Sequence, residues 1–247
     1  MIKTPLSTRL LYYLELICMV PILPYLVIKG KKLINSIPKL KPWSEFQAHN
    51  PVATNANILI IGESTVAGVG ASSEDNTMFG NIRIMFPSIY NLYNIGKVGL
   101  KAAYLTKFKQ KNQSKLPQKF NKTILLIGAN DSFAFTDPKV FLSEINTFLS
   151  GLDTDEIYAC TIPPVHQFPA IPKLMRHFLR FQRYLLIRQL KLLESHHPNL
   201  HIVNFSFESH PDFFAKDGIH PSDLAYRMMT KAIWTKIKSV GEKGDQS

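Results

Sequence analysis

Cysteine is scarce, with Cys18 and Cys160 the only two in 247 residues. They fall in an apolar N-terminal run and in a predicted strand, without metal-ligand spacing or a disulfide framework, which excludes a cysteine-stapled fold and suits a reducing compartment. No internal repeat is present, which excludes a solenoid. Neither a zinc-ligand pattern nor a phosphate-cradling glycine loop occurs, so the sequence asks for no metal and no organic cofactor. Acidic residues are also few, 18 against 29 lysines and arginines, for a net charge of +11. No recognisable nucleic-acid module accompanies those bases, so no nucleic acid is expected as a partner.

The basic residues are unevenly placed. Residues 1–50 hold seven of them against Glu15 and Glu45, and eight lysines lie between Lys97 and Lys122 with no acid among them. Lys173, Arg176, Arg180, Arg183, Arg188 and Lys191 decorate a predicted helix. Such patches suit an anionic lipid surface, the alternative being a solvated face that keeps the protein soluble.

Leu10–Ile28 is an apolar run interrupted by Glu15, Pro21 and Pro24, and as one helix it would be about 28 Å long. That length just spans a bilayer, while the prolines and Glu15 favour a kinked or in-plane anchor. A third reading folds the helix onto the following domain. No small-x-small cleavage site follows, so the segment reads as retained rather than as a removed signal peptide. Lys29, Lys31, Lys32, Lys39 and Lys41 outnumber Lys3 and Arg9 on the other flank, which predicts a cytoplasmic domain if the helix spans. The resulting division is an anchor segment with a basic flank over 1–37, a proline-containing polar linker over 38–55, a folded domain over 56–238 and a polar tail over 239–247. Gly241–Ser247, without an apolar face, reads as dispensable.

Within the domain, short β-branched or aromatic runs at Asn57–Ile61, Asn91–Ile95, Thr123–Ile127, Glu156–Ile162 and His201–Phe205 predict five strands. Helical patterns fall near Thr77–Phe86, Ala102–Lys111, Lys139–Leu152 and Leu174–Glu194, with a last helix over Ser222–Lys238. Strict alternation predicts a three-layer α/β/α fold on a parallel sheet of about five strands, plus the N-terminal apolar helix. Leu174, Phe178, Phe181 and Leu185 mark an apolar stripe on the fourth of these helices, facing either the core or a membrane.

Ligands of such sheets sit at the carboxyl ends of the strands, where Ser64, Gly96–Gly99 and Asn130 all fall. Ser64 follows Gly62 in a turn after the first strand, a placement that lifts a hydroxyl to the rim of the sheet or merely caps a helix. The segment is not a Gly-x-Ser-x-Gly elbow, because Val66 stands at the second glycine. A serine nucleophile needs a base, a group that orients the base and donors for the oxyanion. Asp217 and His220, separated by a glycine-containing turn before the last helix, would provide a base and its orienting carboxylate, the alternative being a helix-initiating Asp and a surface His. Asn130, Gly99 and the Ser64 amide would provide donors, the alternatives being an Asn-Asp turn cap at Asn130 and a positive-φ turn at Gly99. His166, His177, His196, His197 and His210 lack such a local partner pattern.

In this order the four segments Gly62-Glu63-Ser64-Thr65, Gly99, Gly128-Ala129-Asn130-Asp131 and Asp217-Gly218-Ile219-His220 resemble the sequence blocks of the SGNH, or GDSL-type, hydrolases. The resemblance covers about residues 56–238. It implies a flavodoxin-like sheet, Ser64 as nucleophile, Asp217 and His220 as the acid-base pair, and Ser64, Gly99 and Asn130 as the oxyanion hole. Glu63 and Thr65 depart from the family's usual Asp and Leu. Pro163–Pro172 resembles a proline- and aromatic-rich insertion of membrane-associated bacterial members, and Phe168 and Ile171 would line an acyl pocket. The activity implied is acyl-ester hydrolysis through an acyl-enzyme, on lipid-like or small acyl esters, without a cofactor. Transfer of the acyl group to an alcohol, or a silent binding protein on the same fold, are the alternatives.

Overall fold

The computed structural model describes residues 2–50, 56–205 and 210–244. Six strands form one sheet: β1 (Phe46–His49), β2 (Asn57–Gly62), β3 (Asn91–Gly96), β4 (Phe120–Leu126), β5 (Thr154–Cys160) and β6 (Leu200–Val203), in the order β1-β3-β2-β4-β5-β6. β2 to β6 run parallel, and β1 is antiparallel to β3 with Phe46 opposite Ile95. Successive side chains of a strand point to opposite faces. Ile58 and Ile60 of β2 therefore join one apolar cluster and Leu59 and Ile61 the other, all four fully buried. A strand buried on both sides needs a helical layer on each face. Helices α3 (Met78–Met85) and α8 (Asp223–Gly244) cover one face, and α4 (Ala102–Lys111), α6 (Pro138–Ser150) and α7 (Lys173–Glu194) the other. Thr77 caps α3 by accepting from the Gly80 amide at 3.1 Å, and Asp137 caps α6 ahead of Pro138 by accepting from Lys139 at 2.7 Å.

Three boundaries differ from the sequence reading. The stretch expected as linker contains β1, and is stitched to the domain by Trp43 and Ser44 amides donating to Ala67 O and by Glu45 O accepting from Gly96. Four residues of mixed polarity carry too little alternation to announce a strand, and pairing to β3 supplies what the local pattern lacks. Residues 51–55 of that stretch lie outside the described residues. Helix α8 runs to Gly244, so most of the expected polar tail is helical, and 245–247 lie outside the described residues. The buried face of α7 is Leu179, Gln182, Leu185, Leu186, Gln189, Leu190 and Leu193; of the expected stripe Leu185 lies in it, Phe178 and Phe181 are half-buried and Leu174 is exposed. Two glutamines hid that face. Gln182 is buried because its amide donates to Thr136 O at 2.7 Å.

At the N-terminus, α1 (Leu6–Met19) and α2 (Leu23–Ser36) are joined by a single 3₁₀ turn. Pro21 and Pro24 stand at the starts of that turn and of α2, where a missing N–H costs no interior hydrogen bond. Leu6–Leu33 is long and apolar enough to cross a membrane by length and composition. In the structure it is folded against the domain, as the third of the sequence readings had it. Thr8, Tyr12, Glu15 and Met19 are buried where α1 meets α6 and α7, and the Tyr12 hydroxyl donates to Phe135 O at 2.9 Å. Burial pushes the Glu15 carboxyl up to about 8.

Candidate active site

Register alone brings the key loops together. Gly62 pairs with Gly96 of β3 and with Leu126 of β4, so the carboxyl ends of three adjacent strands finish level. The chain crosses from one side of β2 to the other between β3 and β4, which opens a crevice above these ends. At Gly62 a Cβ would lie 2.1 Å from Leu126 O, so only glycine lets the strands close up here.

After Gly62 the chain turns through a short helical loop, with Val66 donating to Glu63 O and Val69 to Ser64 O, both at 3.0 Å. Ser64 is held at the rim of the crevice. Its Oγ lies 3.0 Å from His220 Nε2, and His220 Nδ1 lies 2.6 Å from Asp217 Oδ2. Asp217 Oδ1 accepts the Ile219 and His220 amides, each at 3.0 Å. Burial alone would raise the Asp217 carboxyl, but the imidazole and these two amides outweigh it and hold the group below its usual range. An ionised carboxylate can only accept, so Nδ1 carries the proton and Nε2 is left free to accept from Ser64. The loop bearing His220 is closed by Ala215 donating to His220 O at 2.8 Å and Ser222 donating to Phe213 O at 3.0 Å. Tyr226, fully buried on α8, places its hydroxyl 2.7 Å from Val69 O, tying the last helix to the Ser64 loop.

Gly99 has φ +74 and lies in a turn following β3, a conformation that disfavours any side chain although a Cβ there would meet nothing within 4 Å. Among the described residues, neither the Gly99 nor the Ser64 amide has a hydrogen-bond partner. Both are available to an oxyanion. Asn130 opens the short helix α5 (Ala129–Phe133) and lines the same crevice. Its Nδ2 donates to Glu63 Oε2 and to Leu100 O at 3.2 Å.

Two buried carboxyls fasten this arrangement. Glu63 accepts the Ala129 amide at 2.9 Å and the Asn130 amide at 3.0 Å, and burial drives it up to about 8 against the pull of those donors. Asp131 accepts the Ala102 amide at 3.0 Å, capping α4 from another element where Lys101 offers no acceptor of its own. It thereby fixes the end of the Gly99 turn. The crevice deepens into a cavity of about 490 Å³ walled by apolar side chains, among them Phe133, Phe168, Ile171, Met175 and Phe214. Gly30, Leu33 and Ile37 of the N-terminal segment close one side of it. Among the described residues His220 is the only histidine in the lining, and no group of three or more His, Cys, Asp or Glu is arranged to hold a metal.

A search of curated proteins found no match. Residues 58–233 match the family model of GDSL-like lipase/acylhydrolases. The chain belongs to this family. Solved structures with the same fold include the native aryl esterase of M. smegmatis, at 16% identity and a TM-score of 0.57, covering 74% of this chain and 99% of that one. A lipolytic G-D-S-L family protein from Veillonella parvula gives 15% and 0.58, over 73% of this chain and 97% of that one. A lipase from a goat rumen metagenome gives 16% and 0.57, over 74% and 97%. The protein is thus a GDSL-type carboxylic ester hydrolase.

Of the five sequence-predicted site residues, Ser64, Gly99, Asn130 and His220 line one crevice and Asp217 is buried behind His220, and Phe168 and Ile171 line the same cavity. The hydrogen bonds of Glu63, Asp131 and Tyr226 were not foreseen. Glu63 stands where the family usually has Asp, and its two-oxygen grip on the Asn130 loop gives that departure a structural use. Both Nδ2 hydrogens of Asn130 are engaged in this structure, by Glu63 Oε2 and Leu100 O, so service to an oxyanion requires one of these bonds to be exchanged; with that exchange Asn130→Ala is expected to lower kcat on a soluble ester by about 10²–10³-fold, the usual cost of one such donor. Steady-state kinetics on the folded variant check this.

The raised carboxyls also set the pH dependence of folding. Glu15 and Glu63 hold protons in the native state up to about 8, whereas the unfolded chain releases them near 4.5. Between those values the unfolded state binds fewer protons, so stability falls as pH rises. Asp217, lowered in the native state, acts in the opposite direction but only around and below its unfolded value of 3.8. His166, His197 and His201, lowered by burial, add stability as pH rises toward about 6.5 and oppose the glutamates there; the thermal midpoint is therefore expected to decline clearly from about pH 7 to about pH 8, and Glu15→Gln to flatten part of the slope. Circular dichroism melts across that range check both.

Proposed function

We propose that the protein hydrolyses esters of apolar acyl chains presented at a membrane surface, with Ser64 as nucleophile, His220 as base and Asp217 as its orienting partner. One observation carries the reading: the hydrogen-bonded series Ser64, His220, Asp217 stands at the mouth of an almost wholly apolar cavity. Ser64 Oγ attacks the acyl carbon while its proton passes to His220 Nε2, and the carbonyl π electrons move onto oxygen. The Ser64 and Gly99 amides meet that oxyanion, with Asn130 beside them. Collapse breaks the bond to the alcohol, which leaves with the proton from Nε2. Water then gives a proton to Nε2 and attacks the acyl-enzyme, and the carboxylic acid departs as Ser64 recovers its hydrogen. Asp217 stabilises the imidazolium in both halves.

The cavity supports an apolar acyl group over a polar one, and the lysine-rich, apolar N-terminal segment supports a lipid surface as the place of work. A fluorescent fluorophosphonate, with peptide mass spectrometry of the adduct, tests the nucleophile. The expected result is a single adduct on Ser64. No adduct on a folded protein would overturn the reading.

A further inference from the structure

We propose that the N-terminal helical pair lies flat in the interface of an anionic bilayer while its inner face forms one wall of the acyl cavity, so that an acyl chain passes from membrane to Ser64 beneath α2. The inference rests on the esterase reading of the site and adds to it a route and a surface.

Burial along residues 8–37 repeats every three or four positions. Thr8, Tyr12, Glu15 and Met19 are buried in turn, Ile22 is half-buried, Leu26 is buried, and Gly30, Leu33 and Ile37 continue the same row onto the cavity. Leu33 packs on the apolar cluster of Val165, Phe168, Ile171 and Leu179. Both ends of the pair are therefore held against the domain, α1 through Tyr12 on Phe135 O and α2 through Leu33. A pair so held cannot stand across a bilayer without carrying the domain into it.

The outer face has the reverse of the usual polarity. Leu6, Leu10, Leu14, Ile17, Val20 and Ile28 are 56–67% exposed, whereas the hydroxyls of Thr8 and Tyr12 and the carboxyl of Glu15 face inward. A helix against a solvated protein keeps its polar side outward. An apolar outward stripe of this length needs an apolar medium. Exposed Lys3 and Arg9 flank it at one end and Lys29, Lys31 and Lys32 at the other, and the only acid in the pair, Glu15, points away from the stripe. That charge set matches anionic headgroups meeting a helix in the plane of the interface.

Gly30 makes the second half testable. It lines the cavity, and a Cβ built on it has no heavy atom within 4 Å. A side chain there extends into the space the acyl chain would use, and a helical glycine replaced by a larger residue gains helix propensity.

The experiment uses the full chain. Wild type, Gly30→Phe and the double variant Ile17→Asp/Ile28→Asp are assayed on a short soluble ester and on a long-chain ester in vesicles of phosphatidylcholine and phosphatidylglycerol. Binding to these vesicles and to pure phosphatidylcholine is measured by co-sedimentation, with circular dichroism to confirm folding. Gly30→Phe is expected to lower the long-to-short ratio of kcat/KM by about tenfold or more while still binding vesicles. The aspartate pair is expected to lose vesicle binding and vesicle-borne turnover together, and wild-type binding to require phosphatidylglycerol. Because Cys18 is exposed and Cys160 buried, Lys3→Cys and Lys31→Cys in a Cys18→Ser background report sidedness. Both are expected to react with an impermeant maleimide from one side of sealed vesicles. An unchanged ratio in Gly30→Phe, vesicle binding by the aspartate pair, reaction of one cysteine alone, or a wild-type dimer that buries the stripe would each overturn the proposal. Failure of the esterase reading looks different: wild type would then leave the short soluble ester intact.

Discussion

Replacing Ser64 with alanine is expected to cut ester turnover by about six orders of magnitude, the scale of loss when a serine nucleophile is removed from a working triad. The change deletes one oxygen whose side-chain hydrogen-bond partner in the structure is His220 Nε2. The fold does not depend on that contact. The Ser64 loop keeps its shape through backbone bonds from Val66 and Val69 and through the buried Tyr226 hydroxyl. Melting should therefore shift by no more than about 1 kcal/mol, the net worth of one hydrogen bond. Initial rates on a chromogenic ester, beside a melting curve, separate the two effects. Turnover near the wild-type level would remove Ser64 from the chemistry.

Asp217→Asn carries the second largest expected effect, a loss of about 10⁴-fold in kcat with the protein still folded. The amide's oxygen can keep accepting the Ile219 and His220 N–H groups that hold the loop. Its NH₂ then faces His220 Nδ1, which must become the acceptor. The ring proton moves to Nε2, where it blocks transfer from Ser64. Asp217→Ala loses the loop contacts as well, so a larger fall in stability for Ala than for Asn, at similar loss of rate, would distinguish the tautomer from the scaffold. Rate measurements on both variants, with melts, supply the comparison.

Much of this site was legible because its parts are local. Gly62 to Thr65, Gly99, Gly128 to Asp131 and Asp217 to His220 each sit in one turn at the end of a strand or before a helix. The alternation of strand and helix then fixes which ends share a rim. What escaped is non-local. Glu63 acts through Ala129 and Asn130, and Asp131 acts through Ala102, contacts 66, 67 and 29 residues apart that no spacing announces. β1 depends on pairing with β3 rather than on its own four residues. The buried face of α7 includes Gln182, whose burial follows from Thr136 O and is invisible to hydropathy. The N-terminal run read as apolar, interrupted by Glu15 and two prolines. Only its docked position reveals that Thr8, Tyr12 and Glu15 form its inner side.

Ser64 and His220 meet across 156 residues of chain, and Tyr226 crosses 157 to reach Val69. During synthesis Ser64 therefore emerges long before His220, which follows every described strand of the sheet. Until the segment that carries Asp217, His220 and the following helix joins the rest, the nascent protein holds an ordinary hydroxyl beside an apolar hollow. Hydrolytic competence is thus expected to arrive only with that later segment, and a chain interrupted before it would be an inactive esterase.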